Sequence, residues 1–181
     1  MLNENEAEMA LNLAKNALKN HLDGGPAELA PPEVSPDSEL LRLLGCFVTL
    51  KINGNLRGCI GSITSEKPLY INIAENALNA ALRDPRFSPV TLEEYDSLDW
   101  EISVMGPLEK CTDLELIEVG VHGLLIESKH HRGLLLPQVP IEWGWDRTTF
   151  LEHLCLKAGL PKNEYLAGNA QIYTFRADIY S

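Results

Sequence analysis

Residues 46–61 read Cys46-Phe47-Val48-Thr49-Leu50-Lys51-Ile52-Asn53-Gly54-Asn55-Leu56-Arg57-Gly58-Cys59-Ile60-Gly61. The first seven form a strand-like run, and Asn53-Gly54 is the strongest short hairpin signal a sequence offers. A two-residue loop pairs Ile52 with Asn55, Leu50 with Arg57 and Val48 with Cys59. Side chains alternate along a strand. One face then carries Val48, Leu50, Ile52, Asn55, Arg57 and Cys59, and the other carries Phe47, Thr49, Lys51, Leu56 and Ile60. On this register Arg57 and Cys59 are neighbours, and the guanidinium favours a thiolate. Gly58 and Gly61 flank the thiol and allow another group to come close. A bulge at Gly58 would shift the register by one residue and separate Arg57 from Cys59. The alternative for Cys59 is a small buried apolar residue.

Outward from the hairpin the pattern is mixed. Ala7, Ala10, Leu11, Ala14, Ala17, Leu18 and Leu22 share one stripe of a helix over 4–22, which Gly24-Gly25 ends. Four prolines make 26–37 an irregular connection. Pro68 opens a helix over 68–83, and Asp84-Pro85 closes it. Pro89 keeps 84–90 irregular. Residues 91–98 form a short helix or turn, and 113–117 another. Residues 100–105 alternate as a strand until Gly106-Pro107. Residues 124–127 and 134–136 form a hairpin with Lys129-His130-His131-Arg132-Gly133 at its tip. Residues 137–145 are expected to be a loop. Asp146 caps a helix over 147–158, and 171–175 is a closing strand. The expected class is α+β, with mainly antiparallel sheets flanked by helices, in one domain or two small lobes.

Net charge is −11 in 181 residues, unevenly spread. Residues 1–41 carry −6, residues 42–88 carry +3 and residues 89–181 carry −8. The acidic balance argues against unspecific nucleic-acid binding. The positive segment holds the hairpin and suits a small anionic ligand bound by Arg57, Arg83 or Arg86. No run approaches the ~20 apolar residues of a membrane helix. The acidic first residues lack signal-peptide character, so a cytoplasmic setting is expected. Four cysteines without a Cys-x-x-Cys fit reduced thiols. In the expected register Cys46 lies diagonal to Cys59, at roughly 7–8 Å, too far for a disulfide.

Cys59 is the one thiol with a local reason to be activated. Cys155 falls on a helical core stripe, and Cys46 and Cys111 have no distinguishing context. His122, between Gly120 and Gly123, is the best candidate base; the alternative is a structural hydrogen-bonding histidine. His130, His131 and His153 are expected to face water. Gln138 and Glu142 lie in the expected loop, where functional groups are often carried. Trp143 and Trp145 would shield Glu142 and raise its pKa; the alternative is a surface glutamate beside core tryptophans. There is no metal-ligand spacing, no phosphate loop and no dinucleotide fingerprint, so no metal is expected and any cofactor stays unknown.

Leu56-Arg57-Gly58-Cys59-Ile60-Gly61 also carries a resemblance. With Asp84-Pro85-Arg86-Phe87, His122-Gly123-Leu124, Leu136-Pro137-Gln138-Val139-Pro140, Glu142, Trp145-Asp146 and Cys155-Leu156-Lys157-Ala158-Gly159-Leu160, in that order, the chain resembles the AMMECR family. The resemblance covers most of the chain after residue 40. It implies a two-lobed α+β fold with the signature near the cleft between lobes, and association with a Memo-like protein and a radical-SAM protein. It implies no settled reaction. On this reading the chain is a cytoplasmic enzyme or enzyme component that binds a small anionic ligand in a cleft. Cys59 is the nucleophile or reversible thiol, and His122 or Glu142 moves protons. Arg57, Gly58, Gly61, Arg86 and Gln138 are the ligand contacts. The alternative is a non-catalytic binding or adaptor module.

Overall fold

The structure, a computed structural model, describes residues 1–25 and 31–181. It divides into two compact units, Met1–Met105 with Asp178–Ser181, and Gly106–Ala177. Residues 84–90 lie inside the first unit, and the expected connection over 26–37 falls partly outside the described residues.

The first unit opens with α1, Glu4–Leu22, whose start is fixed by a reciprocal capping box between Asn3 and Glu6. Its Ala10, Ala14 and Leu18 are fully buried. They belong to one core with Leu69, Ile73, Ala77 and Ala80 of α2, Leu69–Leu82. Alanine at these positions lets the two helices and the sheet approach closely. Each larger aliphatic side chain buried there contributes about 1.5–3 kcal/mol. The sheet is ordered β2-β1-β3-β8, with β1 Cys46–Ile52, β2 Asn55–Ser62, β3 Asp99–Met105 and β8 Ala177–Tyr180. Cys46, Val48 and Leu50 of β1 are fully buried on the helix-facing side.

The β1–β2 hairpin turns where expected, through Asn53 (φ 52°) and Gly54 (φ 77°). Its register beyond the turn is not the expected one. Ile52 pairs with Asn55 and Lys51 with Leu56, but Leu50 pairs with Gly58, Thr49 with Cys59 and Val48 with Ile60. Arg57 is the extra residue of a bulge. The physical reason is the core: an unbulged hairpin would put Arg57 beside Leu50 on the buried face, where a guanidinium has no water. The bulge puts Gly58 there instead. A Cβ on Gly58 would collide with the Ala80 carbonyl oxygen of α2, so the close approach this glycine allows is made by the protein's own helix. A Cβ on Gly61 would likewise meet Phe47.

The second unit has a sheet ordered β4-β7-β5-β6, with β4 Glu109–Lys110, β5 Gly123–Glu127, β6 Arg132–Leu135 and β7 Gln171–Phe175. All its pairings are antiparallel. Its core joins Leu124 and Ile126 to Phe150, Leu151, Leu154 and Cys155 of α4, Arg147–Lys157. Asp146 caps α4 by accepting the Thr149 N–H, as the sequence predicts. The expected loop at 137–145 instead contains α3, Gln138–Trp143, which ends at left-handed Gly144. Pro140 is tolerated because it lies in the first turn, where a missing N–H costs nothing. A short α5, Glu164–Ala167, follows α4. Both units together are an α+β fold with two four-stranded antiparallel sheets. No described helix is long and apolar enough to cross a membrane.

Candidate functional site

The bulge decides what Cys59 faces. With Arg57 looped out, Cys59 leaves the core-facing side and shares the opposite face with Thr49. The Thr49 hydroxyl lies 3.2 Å from Sγ and donates to it. The thiol is half-buried. Cys46 sits on the core side, so the two cysteines lie on opposite faces of the hairpin rather than diagonally on one, where the expected unbulged register places them. All four thiols are free. Burial pushes the Cys46 thiol up to about 12, and burial also raises Cys111 and Cys155.

Strand β2 lies at an edge of its sheet, so the main-chain groups of Cys59 that point away from β1 need partners from elsewhere. Asp84 and Arg86 supply both. The Cys59 N–H donates to Asp84 Oδ2 at 2.9 Å, and Arg86 Nη2 donates to the Cys59 carbonyl at 3.3 Å. Because these groups point outward, Cys59 and Thr49 are a non-hydrogen-bonded pair, the kind whose side chains stand closest. Asp84 is 3% exposed. It also accepts from Arg86 Nε at 2.9 Å, Arg86 Nη2 at 2.7 Å and the Arg86 N–H at 3.1 Å. The guanidinium, aided by the two N–H donors, holds this carboxyl far below the usual range against the opposing effect of burial. Arg86 Nη1 has no partner among the described residues. Asp84 is the site residue that local reading misses: it serves there only as a helix stop before proline. Its signal was an acidic residue two positions before an arginine at an irregular junction.

Arg57 is not the cation beside the thiol. Its Nε and Nη2 donate to both oxygens of Glu94, at 2.8 and 3.0 Å, and its Nη1 donates to the Ser88 carbonyl at 2.9 Å. This fork pulls Glu94 down to about 2, with the Thr91 N–H as the next cause. Arg86, through its contact with residue 59, takes the place expected for Arg57.

The remaining sequence candidates belong to the second unit. His122 is half-buried, and its Nδ1 accepts the Glu118 N–H at 3.1 Å. The neutral ring therefore carries its proton on Nε2. Gln138 begins α3, and its Oε1 is buried without a hydrogen-bond partner among the described residues. Glu142 is exposed and Trp143 is 70% exposed, so the expected shielding is absent. Trp145 stacks instead on His153, with ring centroids 3.9 Å apart. That contact corrects the expectation that His153 faces water alone. His131, at the hairpin tip, lies 2.9 Å from the Ala158 carbonyl through Nδ1. No group of three or more metal-ligating side chains occurs among the described residues.

The family model described as AMMECR1 matches residues 11–180. A protein of Methanothermobacter thermautotrophicus is 44% identical over 99% of this chain and 95% of its own length. One of Methanocaldococcus jannaschii is 43% identical over 99% of this chain and 92% of its own. The crystal structure of an uncharacterised protein of Pyrococcus horikoshii is similar at a TM-score of 0.89 and 40% identity, covering 98% of this chain and 92% of that one.

Proposed function

The chain belongs to the AMMECR1 family, and from that premise we propose that it acts through Cys59, as an enzyme or enzyme component in which this thiol engages a small anionic ligand as nucleophile or reversible thiol. One observation carries the reading. Asp84 and Arg86 bind both outward main-chain groups of residue 59, while the half-buried Cys59 keeps its Sγ beside the Thr49 hydroxyl. The clamp holds the backbone of this residue on the strand edge and so fixes where its thiol is presented. The ligand's negative charge is met by Arg86 Nη1, the guanidinium nitrogen its own carboxylate partner leaves over. His122, Gln138 and Glu142 belong to the second unit, and the proposed site is built from side chains of the first. Memo-like and radical-SAM proteins are the proposed partners, on family association. Four free thiols accord with the proposed cytoplasmic setting.

The second reading, a binding module without chemistry, is favoured by a different observation. Arg57, Gly58 and Gly61 are all committed to internal contacts, so most of the signature builds scaffold. Iodoacetamide labelling decides between them, in a variant with Cys46, Cys111 and Cys155 changed to serine. Labelling of Cys59 in the folded protein, slowed by an added anionic ligand, supports the thiol site. Protection until the chain unfolds transfers the case to the binding module.

A further inference from the structure

The second unit contains a cavity of about 210 Å³ lined by Pro107, Glu109, His122, Thr174, Phe175 and Arg176. The sheet brings them together. Glu109 pairs with Thr174 across β4 and β7, and Arg176 follows two residues later. Gly123, adjacent to His122, pairs with Phe175 across β5 and β7. Here an acidic and a basic residue, Glu109 and Arg176, line one small volume with no ion pair between them among the described residues. The Glu109 side chain has no partner among the described residues, and Arg176 contributes only its carbonyl, to the Gly106 N–H. His122 adds a donor: its Nδ1 is occupied by the Glu118 N–H, which leaves Nε2–H as the free ring group.

We propose that this cavity binds a small zwitterion, a free α-amino acid. An anion alone would be repelled by Glu109, and a cation alone by Arg176. A ligand with both charges answers each of them. Its carboxylate is received by Arg176 and His122 Nε2–H, a bidentate acceptor against a planar donor. Its ammonium is received by Glu109. An apolar side chain of the ligand lies against the exposed Pro107. The cavity shares no side chain with the Cys59 site.

The test is a titration of the full chain with glycine, L-alanine, L-leucine and L-phenylalanine, following the His122 ring resonances by NMR. A saturable shift is expected with at least one of them. The matching amine and the matching carboxylic acid, 3-methylbutylamine and 4-methylpentanoate in the case of leucine, should bind about tenfold or more weakly. Arg176→Gln should erase the preference over the amine, and Glu109→Gln the preference over the acid. Both positions are exposed, so the variants keep the fold. Cys59→Ser should bind as the parent does, which separates this site from the thiol reading. Three results overturn the proposal: no saturable shift with any of the four amino acids, single-charge analogues that bind as tightly, or charge variants that bind unchanged.

Discussion

Around Cys59 nearly every charge has found a partner inside the first unit, whereas in the cavity of the second unit two charges have not. Arg57 is taken by Glu94 and the Ser88 carbonyl, and Asp84 by Arg86 and the Cys59 N–H. Glu109 and Arg176 line one cavity unpaired among the described residues. The difference separates two uses of the same residue types. A charge already held in a fork must give up that fork before it can select a ligand, and breaking such a pair is costly. A signature rich in arginine and glycine is thus mostly a device for placing one strand edge. What it leaves over is a sulfur, and Arg86 beside it leaves one guanidinium nitrogen.

The strongest way to break this contrast is Asp84→Ala. If Asp84 is scaffold, the variant leaves the Cys59 N–H without its acceptor and removes the charge-assisted bonds to the half-exposed Arg86, and urea unfolding should show a loss of about 3 kcal/mol. Unchanged stability would make Asp84 a ligand group instead. Next is Gly58→Ala, which drives a methyl into the Ala80 carbonyl and forces strand and helix apart. About 3 kcal/mol should be lost, since backbone on both sides cannot yield. A parent-like melting curve would return Gly58 to the list of ligand-facing residues.

Acid titration sharpens the same point. Glu94 falls from an ordinary 4.5 to about 2, and Asp84, ordinarily 3.8, is held lower still. Both folded values are depressed, so between them and the ordinary values the unfolded chain binds more protons. The stability these groups supply is complete above about pH 4.5 and drains away as pH falls toward 2. Glu94→Gln should flatten part of that acid limb and cost about 1 kcal/mol at neutral pH, the pair being partly exposed. An acid limb identical to the parent's would mean the Arg57 fork does not form in solution. The smallest effect is expected from Thr49→Val, which keeps shape and removes the donor to Sγ. Stability should change by less than about 1 kcal/mol, while Cys59 alkylation slows about threefold. An unaltered rate would remove Thr49 from the site.

Much of the fold was legible locally. The helix over 4–22 coincides with α1, and those over 68–83 and 147–158 differ from α2 and α4 by one residue at their ends. Strands at 46–52, 100–105 and 171–175 and the hairpin near 124–136 follow the same rule, because burial of one face imposes its period on the sequence. The short α3 was missed: six residues with a proline show no period. β8, at the sheet edge, was missed as well. Of the site, the sequence singled out Cys59 and Arg86 but joined the thiol to the wrong arginine.

The sequence by itself determined the elements, the turn at Asn53-Gly54 and the one thiol set between glycines, since these depend on neighbours a few positions away. Tertiary structure alone decided that Arg57 leaves the ladder, that Cys59 turns from the core side toward Thr49, and that Asp84, 25 residues away, holds its backbone. A bulge is favoured or not by what occupies the far side of the strand. Here that is a helix carbonyl and a buried leucine, where a glycine fits and an arginine does not.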